Sequence, residues 1–452
     1  MKDFSISRRD FIHAVAGAAG ASVIGGSSSL RAEEAVGLAG TTAPSDRLRF
    51  GIIGVGMEGS GLLTTAVQLP GVECVAAADL WDGRHELARE IVGKPIRTTR
   101  RYQDLLDAKD IDAVIIAVPD HWHKQTVVDA ISAGKDVYCE KPMSHSAADG
   151  LAMVAAASKS DRIVQIGAQR TSSVLCAKAH ELIKQGAIGD LDLVEATYGR
   201  NDPNGAWEYP LPPDLNAHTV DWDTWLGTAP KRPFDPKLFA RWRCWREFGT
   251  GVAGDLLVHL ISGMQCVLGI NEAPAEVSAL GGISRWKDGR DMPDVHMALF
   301  QYKNVPVYMR LTLGSESAEV TRFMGSKGVI ELREFSLTYS PQPGEDTAPS
   351  YYSGSFPRAM RDAYVQQWHR EHDPAPGKEP APESLTFNGN DYDDLRPHLW
   401  NFFDAVRSRR KVLQDATFGH HAALGCHMAN ESYFRKRPVR WNESSNTIET
   451  VG

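Results

Sequence analysis

Two short stretches carry side chains suited to moving a proton. In Gly251-Val252-Ala253-Gly254-Asp255-Leu256-Leu257-Val258-His259, a carboxylate precedes an imidazole at the i, i+4 spacing. The apolar pattern continues through Leu260 and Ile261, which predicts a helix with Asp255 and His259 on one face. An imidazole with a pKa near the working pH, oriented by a carboxylate, is suited to taking a hydroxyl proton as hydride leaves the carbon. The second stretch is Glu140-Lys141-Pro142, directly after the strand pattern Asp136-Val137-Tyr138-Cys139. Ligands of open α/β sheets bind beyond the carboxyl ends of strands. Lys141 is therefore placed to hold a substrate hydroxyl or stabilise its alkoxide, with Pro142 fixing the turn that aims it. Taken singly, each has an ordinary explanation: a helix-stabilising ion pair, and a solvated surface lysine.

A hydride leaving carbon needs an acceptor, and an earlier stretch supplies a place for one. The apolar run Phe50-Gly51-Ile52-Ile53 reads as a buried parallel strand and leads into G-x-G-x-x-G, with glycines at Gly54, Gly56 and Gly59. A helical pattern follows from Gly61 to Val67. In a dinucleotide site these glycines give a tight turn, room for a pyrophosphate against the backbone, and close packing of helix on strand. A second strand, Val72 to Ala78, ends in Asp79, at the distance where an acidic side chain accepts from a ribose 2′-OH and repels a 2′-phosphate. NAD is expected, and NADP is disfavoured.

The elements that must position these groups are legible as two blocks. From Leu48 the pattern alternates strand and helix, which predicts a doubly wound parallel sheet over residues 46–168. Its third main strand, Ile111 to Val118, stops at Pro119 and is followed by Asp120-His121-Trp122-His123. Beyond Gln169-Arg170 longer alternating strands dominate: Leu191 to Tyr198, Ala275 to Leu280, Val295 to Tyr302, Val305 to Leu313 and Val320 to Met324. They predict a second α/β domain, residues 169–452, with a large open and mostly antiparallel sheet. The Pro- and Gly-rich residues 340–394 read as a surface insertion with one helix near Arg358 to His369. Late helices are expected over Pro397 to Arg407 and Gly419 to Tyr433.

Composition narrows the partners. A formal charge of −8 without a long basic run argues against nucleic acid. No apolar stretch outside the N-terminal region reaches the length of a membrane span. At that terminus Ser7-Arg8-Arg9-Asp10-Phe11-Ile12 matches a twin-arginine pattern, and a mildly apolar Ala/Gly-rich segment follows. Residues 1–45 are therefore expected to be an export signal and linker, and the mature protein periplasmic or otherwise extracytoplasmic. The six cysteines show no C-x-x-C. A protein folded in a reducing cytoplasm before export is expected to keep them as buried thiols.

In order, the G-x-G-x-x-G loop, Asp79, Pro119-x-x-x-His123, Glu140-Lys141-Pro142 and Gly251-x-x-x-Asp255-x-x-x-His259 resemble the glucose–fructose oxidoreductase/inositol dehydrogenase family (Gfo/Idh/MocA). The resemblance spans nearly the whole chain after the signal. It implies a Rossmann domain followed by an α/β domain with a large open sheet, whose outer face pairs subunits into a homodimer or homotetramer. It implies a catalytic group of Lys141, Asp255 and His259. Cofactor contacts are expected at Gly54, Gly56, Met57, Gly59, Asp79, Pro119, His123, Glu140 and Lys141. Substrate contacts are expected at Arg170, Trp207, Arg243 and His259, with Arg246 and His398 as further members of a sugar pocket. His121 and His123 lack a third ligand nearby, so no metal is expected.

The reaction implied is oxidation of a secondary hydroxyl on a sugar, glycoside or cyclitol by tightly bound NAD. An exported enzyme meets no free NAD pool, so the cofactor would be loaded before export and regenerated in place. Two alternatives stand beside it. One is an NAD-dependent, redox-neutral glycoside hydrolase of the same superfamily. The other is a non-catalytic sugar-binding protein on a retired Rossmann fold.

Overall fold

The computed structural model describes residues 2–5, 47–303, 305–343, 348–373, 383–389 and 393–452. The twin-arginine stretch, residues 7–12, and the Ala/Gly-rich segment after it lie outside the described residues.

The apolar run that opens the first block becomes β1 (Leu48–Ile53), five of whose six residues are buried. A strand buried on both faces must be central and covered by helices, and β1 is. Its neighbours are β2 (Val72–Ala78) on one side and β4 (Ala113–Ile116) on the other, both parallel to it. With β3 (Arg97–Thr99), β5 (Asp136–Glu140) and β6 (Val164–Gly167), the order of the six-stranded sheet is β3-β2-β1-β4-β5-β6. All five pairings are parallel. The order reverses beside β1, and the crevice at that switch point is where such sheets bind dinucleotides. Helices α1 (Met57–Ala66), α2 (Asp82–Val92), α3 (Gln103–Leu106), α4 (Asp120–Ser132) and α5 (Ala147–Ser158) alternate with these strands.

The unit over residues 46–168 is finished by later segments of the chain. The later helix Leu395–Ser408 returns and lays Leu399, Phe402, Phe403 and Val406 into the core formed by Phe50, Leu62 and Tyr138. The Phe50 and Phe403 rings meet at 5.3 Å. Helix Ala416–Arg435 adds Ala416 and Ala423 to the core on the opposite face. Burial of both faces thus depends on residues nearly the whole chain away, which no local pattern announces.

The second sheet has eleven strands and is mostly antiparallel, as expected. The parallel pairs are Leu191–Gly199 with Val305–Thr312, and Lys2–Ser5 with Leu385–Asn388. Along the central strand Val194 and Ala196 face a core shared with Val307, Met309, Leu311, Phe323 and the helix Val258–Leu268. The opposite face carries Leu280 and Leu299, 71% and 58% exposed. The stretch 340–394 is not wholly an insertion: Leu385–Asn388 returns to pair antiparallel with Ser336–Pro341 within the sheet. Between them stands helix Arg358–His372. The short outer strands Gly328–Arg333, Ser336–Pro341, Leu385–Asn388, Val439–Asn442 and Thr447–Thr450 escape a sequence reading, because strands this short carry too little apolar alternation to stand out. All six cysteines are free, five of them buried and Cys266 half-buried.

Candidate active site

The glycine loop has the geometry a dinucleotide needs. Gly54 sits at φ +89°, and a Cβ there would press on the Ala117 carbonyl. A Cβ on Gly59 would collide with the Gly54 carbonyl, so α1 can approach β1 only with glycine at this position. A Cβ on Gly56 would meet nothing within 4 Å. That open space at the head of α1 is the cradle a pyrophosphate requires. Asp79 braces the loop from the end of β2: its Oδ2 accepts from Val55 N at 2.7 Å and its Oδ1 from Trp81 N at 3.0 Å. A carboxylate accepts at more positions than these two, so capacity remains for a ribose hydroxyl. The residues fit NAD.

A cavity of about 410 Å³ runs from this loop along the carboxyl ends of the strands. Gly54, Gly56, Met57 and Asp79 line one end, Pro119 and His123 the middle, and Glu140, Lys141, Tyr209 and Arg243 the other. Arg84 and Arg100 flank the Asp79 end. Arg100 is committed to Asp82 at 2.6 Å, while Arg84 lies over the Trp81 ring at 4.8 Å. Sequence reasoning missed both, although Arg84 follows the acidic residue by less than two turns of helix.

At the far end the chemistry converges from both domains. Lys141 Nζ donates to the Asp255 main-chain oxygen at 2.9 Å and to its Oδ1 at 3.1 Å. Arg243 Nε donates to the same Oδ1 at 2.9 Å. Asp255 lies in a π-helical turn, Ala253–Leu257, that runs into the helix Val258–Leu268. The turn is pinned at its start, where Thr250 donates from N at 3.0 Å and from Oγ1 at 2.6 Å to Asp120 Oδ2. Asn430 Nδ2 holds the Thr250 carbonyl at 2.9 Å. Gly254 is required here, since a Cβ would collide with the Thr250 side chain. Asp120 and Thr250 had no motif to mark them.

Charge in this cluster is set by burial against pairing. Burial alone would raise the Asp255 pKa, but Lys141 and Arg243 hold it well below the usual carboxylate range. Burial opposes the Lys141 charge, and Asp255 outweighs it, so the ammonium pKa rises. For His259 burial and the charges of Lys141 and Arg170 act together and hold the imidazole well below its ordinary pKa. It is a neutral base at neutral pH. Burial, then Glu58, pushes the Glu140 pKa well up. Its Oε2 accepts from Lys141 N at 3.0 Å, which fixes the backbone at the lysine.

Several expectations need correction. The Asp255 carboxylate is spent on Lys141 and Arg243, and no hydrogen bond joins it to His259 among the described residues. His123 is 1% exposed, and its ring nitrogens lie 2.8 Å from the Pro142 and Val118 carbonyls. It staples the Lys141 loop to the end of β4 while lining the middle of the cavity. Trp207 is 1% exposed in the core and presents no ring to a sugar. His398 is fully buried between Ser172 and the Ile166 carbonyl, and Arg246 turns outward to Glu431. Of that expected sugar pocket only Arg243 lines the cavity. Arg170 pairs with Glu319 at 2.8 Å and with Asp394 at 3.7 Å. Among the described residues no cluster of His, Cys, Asp and Glu suits a metal.

Two family profiles match the chain. The oxidoreductase family's NAD-binding Rossmann fold (Gfo/Idh/MocA) covers residues 48–168, and its C-terminal alpha/beta domain covers residues 214–440. The chain belongs to this family. Inositol 2-dehydrogenase of Salmonella paratyphi B is 34% identical over 185 residues, 40% of this chain and 54% of that protein. Inositol 2-dehydrogenase 1 of Saccharopolyspora erythraea is 32% identical over 153 residues, 33% of this chain and 45% of that protein. The chain spans about half the length of the curated relatives it matches. A solved levoglucosan dehydrogenase, in complex with NADH and levoglucosan, is 20% identical over 87% of this chain and 99% of its own, with a TM-score of 0.60. An aldose-aldose oxidoreductase from Caulobacter crescentus, complexed with glycerol, is 19% identical over 87% and 99%, with a TM-score of 0.62. At these identities the two structures establish a shared fold.

Proposed function

We propose that this protein is an NAD-dependent oxidoreductase acting on a secondary hydroxyl of a sugar, glycoside or cyclitol. The observation that carries the reading is the Lys141 ammonium at the end of the cofactor cavity, held there by Asp255 beside Arg243. NAD bound between the glycine loop and Lys141 would supply the hydride acceptor. Lys141 donates a hydrogen bond to the substrate oxygen and stabilises negative charge as it develops. His259, kept neutral by its surroundings, takes the hydroxyl proton. Asp255 acts on Lys141 and Arg243: it keeps both charged and aimed. The inositol dehydrogenases among the relatives support a polyol substrate. Asp79 supports NAD over NADP, because an acidic side chain after the second strand accepts from a ribose 2′-OH and repels a 2′-phosphate.

We also propose export by the twin-arginine route, on Arg8 and Arg9. No helix among the described residues is long and apolar enough to cross a membrane. Pairing of subunits through the open face of the large sheet is supported by exposed Leu280 and Leu299.

The test is to add NAD⁺ and a panel of cyclitols, sugars and glycosides to the purified protein and follow the reduced-nicotinamide absorbance. Growth of that band with a polyol supports the dehydrogenase. Release of an aglycone with no net reduction would move the reading to redox-neutral hydrolysis. No uptake of either nicotinamide nucleotide would sink both.

A further inference from the structure

The opposite end of the six-stranded sheet holds a second hollow of different composition. A cavity of about 520 Å³ opens at the amino ends of β4 and β5, beside Asp112 and Asp136. Pro119 and Lys141 follow the carboxyl ends of the same two strands, so a strand's length separates this cavity from the cofactor. Six cationic side chains line it: Arg47, Lys109, Lys135, Arg162, Arg407 and Arg409. The carboxylates in its wall are Asp112 and Asp136. The arginines at 407 and 409 arrive with the end of the helix Leu395–Ser408, the same helix that closes the core over β1.

Part of that charge is spent within the protein. Arg409 chelates Asp136, with Nη1 2.6 Å from Oδ2 and Nη2 3.0 Å from Oδ1. Arg162 pairs with Asp161 at 2.7 Å. Carboxylates just outside the wall are also taken: Asp110 by Arg49 and Arg97, Asp404 by Arg410, and Glu73 by Lys94. Asp112 accepts from Arg49 N at 2.8 Å and forms no ion pair among the described residues. Four cations remain, Arg47, Lys109, Lys135 and Arg407. Among the described residues none of them has a carboxylate within ion-pair distance. The acids that act on them from farther off are Asp107, Asp110 and Asp112 on Lys135, Asp404 on Arg407, and Glu73 near Arg47.

Lys135 is the most deeply buried of the four, at 6% exposed. Its Nζ donates to the Ala108 and Ile111 carbonyls at 2.6 and 2.8 Å, which leaves one of its three hydrogens unspent. Arg407 Nη2 likewise donates to the Gly71 carbonyl at 2.6 Å. Carbonyl oxygens satisfy donors but do not cancel a charge, so a buried ammonium stands in the wall without a paired anion. A carboxylate brings two oxygens in one plane. A phosphate or sulfate brings three or more around a tetrahedron, which suits cations reaching in from four separate elements.

We propose that this cavity binds a tetrahedral oxyanion, phosphate or sulfate, free or carried on a small molecule, received by Lys135 with Arg47, Lys109 and Arg407.

The experiment is a calorimetric titration at fixed ionic strength into the protein saturated with NAD⁺, which fills the glycine loop where a phosphate would otherwise sit. The probes are inorganic phosphate, sulfate, glucose 6-phosphate and glucose 6-sulfate, with glucose and chloride as controls. The native protein, the double variant Arg47→Gln/Lys109→Gln and Lys135→Gln are compared. The native protein should bind at least one of the four anions and neither control. The double variant breaks no contact among the described residues, so its thermal unfolding should match the native. It should bind that anion about tenfold more weakly, and Lys135→Gln should weaken it at least as much. Tighter binding of an ester than of its bare ion identifies a phosphorylated or sulfated small molecule, and equal binding identifies the free ion. No binding of any of the four, or binding undiminished in the double variant, overturns the proposal. The double variant decides the matter even if Lys135→Gln fails to fold, and it separates this cavity from the glycine loop even if NAD⁺ is not taken up.

Discussion

The two ends of the cofactor cavity are built on opposite plans. The Asp79 end is local: one strand–turn–helix and the next strand, with Val55 N reaching Asp79 across 24 positions. The Lys141 end is assembled from distant pieces, with Lys141 meeting Asp255 across 114 positions and Thr250 meeting Asp120 across 130. Local geometry can be encoded in three glycines and an acid. A cluster of buried charges cannot, because each member needs partners that other elements must bring. The first end is suited to binding a common cofactor, and the second to changing with the substrate.

The largest effect that would sharpen this division is at Lys141. Lys141→Met should lower kcat about a thousandfold, in the range of a lost charge-stabilising donor or positioned proton-transfer group, while NAD affinity measured by calorimetry stays unchanged. Asp255→Ala should be felt in the fold as well. It strands Lys141 and Arg243 in a buried site, costing about 3–5 kcal/mol in denaturant unfolding. A loss under about 1 kcal/mol would show that the pair is solvated and the account of its charge wrong.

At the other end the effects should be on binding alone. Gly56→Val fills the open cradle and should weaken NAD by about 1–3 kcal/mol, the scale of an overpacked contact, with no change in thermal stability. Asp79→Ala should weaken NAD by about 1–3 kcal/mol and narrow the gap to NADP, since Arg84 already lines that end. If NADP gained nothing, Asp79 would be only a brace for the loop. The smallest effect concerns pH. A base must be unprotonated to act, and the His259 pKa lies well below its usual 6.5. The rate should stay level as pH falls through 6.5 and decline only further down, and an acid limb at or above that value would contradict a buried, cation-flanked imidazole.

The same contrast explains what the sequence could announce. Gly54, Gly56, Gly59 and Asp79 were legible because their spacing is their geometry. Lys141, Asp255 and His259 were found by motif and resemblance, yet the bonding among them was misread. The i, i+4 rule pairs Asp255 with His259, whereas cations from two other elements claim the carboxylate. The π-helical turn carries no sequence signal, and Asp120 and Thr250, which pin it, look like ordinary polar residues. The aromatic face of Trp207 suits a polyol in the sequence, and burial in the core overrides that. The return of Phe402 and Phe403 onto β1 is a tertiary fact that no window of sequence contains.

The most direct test of the central claim uses one preparation and two readings. NAD⁺ is titrated into the native protein and into Lys141→Met, and each complex is then mixed with the best polyol of the panel. The account predicts equal NAD affinity in the two proteins, and a reduced-nicotinamide band that grows only in the native one. Equal growth in Lys141→Met, or loss of NAD binding in it, would contradict the division of labour between the two ends.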